Sequence, residues 1–171
     1  MITRTHKQAG FALAGIAAAA LGAAFIAQYM FGLAPCHLCI YQRIPYAIII
    51  VLGLIAGFGP NKFAPVHLLV IAIALAIEFG LATFHVGVEQ KWWEGFDSCS
   101  ISLEGLNAEQ IREQILGAPR ALCGDVAWSL FGISMAGYNA LLSFGLLVLT
   151  AFHLGAKPPQ LRSPQSPRSG T

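Results

Sequence analysis

Residues 10–33 read GFALAGIAAAALGAAFIAQYMFGL, about 24 positions without a charged side chain. A helix needs roughly 20 apolar residues to cross the hydrocarbon core of a bilayer, so this run predicts a membrane span. Arg4 and Lys7 precede it, and Ala17 to Ala20 offer the small residues of a signal cleavage site. The apolar part of a secretory signal is only about 7 to 15 residues long, however, and the run is read as a retained helix. Composition agrees: 56% of the 171 residues are hydrophobic and 11% charged, against about a quarter charged in ordinary soluble domains. The formal net charge of +2 is uninformative, and no nucleic-acid partner is expected.

Three further runs follow. Ile40 to Gly59 begins with Gln42 and Arg43, places Pro45 where a first helical turn tolerates proline, and ends at Gly57, Gly59 and Pro60. Pro65 to about Gly87 carries one acid, Glu78, and Phe131 to Leu154 precedes a polar tail. The predicted fold class is an all-α membrane protein, a four-transmembrane-helix bundle within residues 1–156, with spans at about 10–33, 40–59, 65–87 and 131–154. The connection 88–130 is far longer than ordinary helix connections and is therefore expected to be functional. Residues 157–171, with Pro158, Pro159, Pro164 and Pro167 among Ser, Gln and Arg, have too few apolar groups for a core and predict a disordered cytoplasmic tail. There is no convincing internal repeat of the kind that marks transporters.

Two crossings separate the first and third loops, so both lie on one side of the membrane, and all four cysteines fall in them. Arg4, Lys7, Lys62, Lys157, Arg162 and Arg168 fall on the opposite side, against Arg43, Lys91, Arg112 and Arg120 on the cysteine side. The positive-inside bias is weak, but it places both termini in the cytoplasm. The cysteines then lie outside, in the compartment where disulfides persist.

Cys36-His37-Leu38-Cys39 is a C-x-x-C motif just before a helix. Its second thiol lies near unpaired backbone amides and the positive end of the helix dipole, both of which favour a thiolate. Arg43, four residues after Cys39, lies one turn further along the same face and supplies a permanent positive charge. Three other readings compete with a redox pair. A c-type haem site needs His at position 40, which is Ile40. Four cysteines could bind zinc, but Cys99 and Cys123 are separated by 23 residues rather than two to four, and external thiols tend to oxidise. A structural Cys99–Cys123 disulfide would close a loop of about 25 residues and stabilise it by roughly 3 kcal/mol, which explains one pair only. Two pairs, one beside the membrane and one in a long outer loop, have the parts for relayed thiol–disulfide exchange. With no nucleotide-binding glycine pattern, P-loop or haem motif in the chain, a lipid-soluble carrier is the economical electron acceptor.

Pro35-Cys36-His37-Leu38-Cys39-Ile40-Tyr41-Gln42-Arg43 strongly resembles the signature of the DsbB family of disulfide bond formation proteins. His85-Val86-Gly87-Val88-Glu89-Gln90 with Trp92 and Trp93, and Ser134-Met135-Ala136-Gly137-Tyr138-Asn139, are similar to its bacterial members. The resemblance covers the four helices and both loops. It implies an enzyme of the bacterial inner membrane that reoxidises a DsbA-like periplasmic thioredoxin-fold oxidase and passes the electrons to membrane quinone, ubiquinone or menaquinone. It further implies that Cys36 and Cys39 form the quinone-coupled disulfide, with Cys39 the thiolate that meets the quinone and Arg43 helping to hold it. By the same resemblance Cys99 forms the mixed disulfide with the soluble partner and Cys123 exchanges with Cys36.

His85, near the outer end of the third span, is a candidate to hydrogen-bond a quinone oxygen or to move a proton; His67 and His153 lie near cytoplasmic helix ends and read as bystanders. Glu78 sits near the middle of a span, where an ionisable residue is a functional candidate by default, though protonation or pairing within the bundle would also account for it. Trp92, Trp93 and Trp128 are expected to anchor the outer ends of spans in the interface. Asn107 with Gln110 resembles a capping box, and Ile111, Ile115 and Leu116 share one helical face. These predict a short helix lying on the membrane.

Overall fold

The computed structural model describes residues 2–95, 107–109, 112 and 122–155. Four helices carry the architecture: α1 (Ile2–Tyr29), α2 (His37–Phe58), α3 (Ala64–Glu89) and α4 (Met135–Gly155). Each contains a segment long and apolar enough to cross a membrane. A single turn of 3₁₀-helix, Asn61–Phe63, links α2 to α3, and two-residue strands β1 (Ser129–Leu130) and β2 (Ile133–Ser134) pair antiparallel just before α4. The protein is a four-helix membrane bundle. Many large apolar side chains on its outside, such as Ile44, Val51, Ile73 and Phe144, are exposed. On a bundle in lipid such a surface is the solvated one, because acyl chains are as apolar as the side chains.

The helix ends differ from those read in the sequence, each for a local reason. The first span, expected over 10–33, stops at Tyr29 because Gly32 takes a left-handed conformation (φ +68) and Pro35 disfavours helix at the residue before it. The second helix begins at His37, not Ile40, because the Cys36 sulfur caps it, accepting from the Cys39 N–H at 3.2 Å. Pro45 consequently lies inside α2 rather than in its first turn. With no N–H, it leaves the Tyr41 carbonyl without its usual partner one turn earlier. The fourth helix begins at Met135 rather than Phe131 because Phe131 (φ 50) and Gly132 (φ 78) form the two-residue turn of the β1–β2 hairpin. Positive φ at both central residues is the geometry that matches the twist of a tight hairpin.

Helix α1 packs on α2, α2 on α3 and α3 on α4, while α1 and α4 touch little. The α1–α2 contact is close: a Cβ on Gly53 would lie 2.6 Å from the Gly10 carbonyl oxygen and 2.9 Å from the Ala14 Cβ. Small residues permit such approach where no hydrophobic force drives helices together. Leu13, Ala17, Tyr46, Ile49, Leu68, Ile71, Leu75 and Leu146 form the central core.

Glu78 is fully buried in that interior. Its Oε1 accepts from Asn139 Nδ2 at 2.6 Å, and Asn139 Oδ1 accepts from the Tyr46 hydroxyl at 2.5 Å. The chain of bonds ties α2, α3 and α4 together with a neutral amide in place of a basic partner. Glu78→Leu would strand the Asn139 donor in apolar surroundings, at a cost of about 1–3 kcal/mol, whereas Glu78→Gln keeps an acceptor. Thermal unfolding in detergent should therefore show Gln near the unsubstituted chain and Leu well below it. Equal melting of the two variants would remove Glu78 from this role.

Of the expected features, Ala108, Glu109 and Arg112 are helical. Gln110, Ile111, Ile115, Leu116 and the tail 157–171 lie outside the described residues.

Candidate active site

The C-terminal ends of α1 and α3 and the N-terminal ends of α2 and α4 meet at one end of the bundle, and Cys36, Cys39 and Cys123 gather there. Cys36 and Cys39 carry free thiols with their sulfurs 2.8 Å apart. The two are brought together by the turn that starts α2: with Cys36 as cap and Cys39 three residues on, both sulfurs face the same first turn. The hydrogen bond that it donates to the Cys39 sulfur, together with burial, pushes the Cys36 thiol far above its ordinary value. Of the pair, Cys36 is thus the sulfur that keeps its proton.

Cys123 is disulfide-bonded and fully buried, in one apolar cluster with Cys36, Leu38 and Val88. Its neighbourhood is held down from the end of α3. Lys91, in a left-handed conformation (φ 61), donates its Nζ to the Gly124 carbonyl at 2.6 Å. The chain then folds back so that Trp93 stacks on Phe84 and donates its indole N–H to the Phe84 carbonyl at 3.0 Å. Its ring lies where a Cβ on Gly87 would be, so Gly87 is required for this fold-back. Trp93 therefore clamps the loop, a role that the interfacial reading does not contain. Trp92 and Trp128 are exposed. Cys99 lies outside the described residues.

His85 arrives from α3 nearly buried, its Nε2 3.5 Å from the Cys36 sulfur and 3.9 Å from Glu89 Oε1 one turn further on. The other Glu89 oxygen accepts from the Ser134 hydroxyl, which joins the ends of α3 and α4. Neither Glu89 nor Ser134 was singled out in the sequence except as part of a family-like stretch.

Beside the cysteines, where α1 and α4 separate, lies a cavity of about 430 Å³, within the range of sites for small molecules. Ala20, Ala23, Ala24 and Ala27 of α1 form one wall, and their short side chains leave the space open. Cys39, Gln42, Arg43 and His85 reach it from α2 and α3, while Tyr46 and Asn139 line it as well. Arg43 is held in place: it donates to Gln28 Oε1 at 2.8 Å and lies over the Phe25 ring, 4.9 Å from its centroid. Gln42 is 7% exposed, and its Nε2 has no hydrogen-bond partner among the described residues. A buried amide donor without an acceptor is costly, so the cavity suits an apolar molecule that offers this amide an acceptor. Gln42 was missed as a site residue because an unsatisfied donor is visible only once the helices are packed.

Compared with known families, residues 6–153 match the model described as disulfide bond formation protein DsbB. The chain belongs to the DsbB family. Disulfide bond formation protein B of Xanthomonas axonopodis pv. citri is 33% identical over 163 residues, covering 90% of this chain and 93% of that protein. Its counterpart from a Shewanella species is 34% identical over 148 residues, 84% of each chain. An uncharacterized protein of Rickettsia prowazekii is 32% identical over 148 residues, again 84% of each. No solved structure matches. Family and fold together make this a multi-pass membrane protein of disulfide bond formation, with the oxidoreductase chemistry that this entails.

Proposed function

We propose that the protein oxidises the dithiol of a DsbA-like periplasmic thioredoxin-fold protein and delivers the electrons to membrane quinone, from the bacterial inner membrane with both termini cytoplasmic. The observation that carries this reading is the meeting, at one end of the bundle, of a dithiol, a third cysteine that is disulfide-bonded and a cavity walled by alanines. Cys99 and Cys123 form the outer disulfide in this scheme. The partner's thiolate attacks Cys99, and Cys123 leaves. Cys123, packed in one cluster with Cys36, then attacks the Cys36–Cys39 disulfide at Cys36. Resolution of the mixed disulfides returns an oxidised partner and leaves two electrons and two protons on Cys36 and Cys39.

Cys39 lines the cavity and is the sulfur from which the electron pair departs, while Cys36 retains a proton close to His85. A quinone, when bound, is the two-electron, two-proton acceptor that renders the cycle unidirectional. Gln42 Nε2 is available to donate to a carbonyl oxygen, Arg43 sets a fixed positive charge beside Cys39, and the alanine wall of α1 takes the ring's apolar face. The separation of α1 from α4 gives access from the lipid.

In bacteria that lack their own family member, expression of this chain should restore disulfides in a secreted reporter. Blocking quinone synthesis should then leave Cys36 and Cys39 reduced, as read by thiol alkylation. Restoration that persists at full rate without quinone would refute the assignment of the acceptor.

A further inference from the structure

Zinc was a poor fit to the sequence because the second cysteine pair lacks ligand spacing. Folding supplies a different third ligand. Cys36 Sγ, Cys39 Sγ and His85 Nε2 all lie within 4.8 Å of one another, and Glu89 Oε1 lies 3.9 Å from the same imidazole nitrogen. The set comes from the start of α2 and the last turns of α3.

Zinc binds thiolate sulfur at about 2.3 Å and imidazole nitrogen at about 2.0–2.1 Å in a tetrahedron. Those bonds require S···N edges near ~3.5 Å and S···S edges near ~3.8 Å. The edge between Cys36 Sγ and His85 Nε2 is already 3.5 Å. The Cys36–Cys39 edge, at 2.8 Å, must open by about 1 Å, which a small rotation of either side chain about its Cα–Cβ bond supplies. Glu89 spends one oxygen on Ser134 and keeps Oε1 free to turn toward the ion. The cluster is buried or half-buried, which limits competition from water.

We infer that in the dithiol form this cluster takes up one zinc ion, held by Cys36 Sγ, Cys39 Sγ and His85 Nε2 with Glu89 Oε1 in the fourth position, and that the ion withholds the pair from thiol–disulfide exchange. The second half rests on the redox reading of the pair. Binding moves no electron: two thiol protons leave to solvent as two Zn–S bonds form, since a coordinating thiol is deprotonated outright. The disulfide form has no thiolate to offer, so zinc and the oxidised state exclude each other. External zinc thereby becomes a reversible brake that acts on the reduced protein alone.

The test uses the full chain in detergent, reduced and free of quinone and partner, both unsubstituted and as the Cys99→Ser/Cys123→Ser variant in which only Cys36 and Cys39 are thiols. Titration with zinc should give one ion per chain in that variant, and cobalt should give sulfur-to-metal charge transfer with tetrahedral d–d bands. In the same background His85→Ala should weaken zinc by at least about tenfold, since the loss of even an outer partner of a ligand brings that much, with helix content unchanged by circular dichroism. Zinc should block maleimide labelling of Cys36 and Cys39, and a chelator should restore it. No uptake, or equal affinity in His85→Ala, overturns the site; labelling at an unchanged rate in the zinc-loaded chain overturns the brake. Because quinone takes no part, failure here leaves the electron relay standing, and failure of the relay leaves zinc uptake intact.

Discussion

Cys39→Ser is expected to reduce quinone turnover to the uncatalysed background. Both cysteines line the cavity, and Cys39 is the less buried of the two. A serine there has nearly the same shape but cannot form a disulfide or carry the electron pair. The outer exchange should survive, because it needs only Cys99 and Cys123. Mixing the variant with a reduced thioredoxin-fold partner should therefore still oxidise about one partner dithiol per chain, once, with no quinone reduced. The readouts are quinone absorbance for the first statement and thiol alkylation of the partner for the second. Continued multiple turnover would mean that the electrons leave by another sulfur.

Arg43→Ala should have a large but lesser effect. Its guanidinium is fixed by Gln28 and the Phe25 ring at the edge of the cavity, one turn after Cys39. Hydrogen bonds to charged groups are worth about 1.5–3 kcal/mol, and each 1.4 kcal/mol is roughly tenfold. The KM for quinone should rise by about 10- to 100-fold, while the cysteines still form disulfides. Arg43→Lys keeps the charge but loses the planar fork that meets Gln28 and stacks on Phe25, so it should fall between. Unaltered quinone kinetics in Arg43→Ala would remove the residue from the site.

How much of this was legible in the sequence differs from element to element. The four spans follow from apolar runs such as 10–33, because a bilayer demands length and apolarity before anything else. Their ends do not, since they depend on local devices: the Cys36 sulfur that caps α2, the left-handed Gly32, the Phe131–Gly132 turn. Pro45 is instructive. The apolar run suggests a start at Ile40, which puts Pro45 in the first turn, whereas the sulfur cap starts the helix three residues earlier.

The candidate site divides in the same way. Cys36, Cys39 and Arg43 lie within eight residues of one another on one helix end, and local spacing announces them. The approach of His85 to Cys36 spans 49 positions and the Tyr46–Asn139 bond 93. No periodicity in the chain carries such information, which arises when α2, α3 and α4 pack. Glu78 was conspicuous as a charge in a span, yet its partner is a neutral amide, a residue type that a search for a countercharge overlooks. The alanines of α1 read only as apolar; that they leave a cavity follows from α4 standing off from α1.

The central claim is that dithiol oxidation and quinone reduction are one process in this chain. The most direct measurement counts both in a single anaerobic vessel, with the protein in quinone-loaded vesicles and an excess of reduced thioredoxin-fold partner. The account predicts one quinone reduced per partner disulfide formed, through many turnovers, and no turnover beyond the first in vesicles without quinone. Sustained partner oxidation with the quinone absorbance unchanged would contradict it.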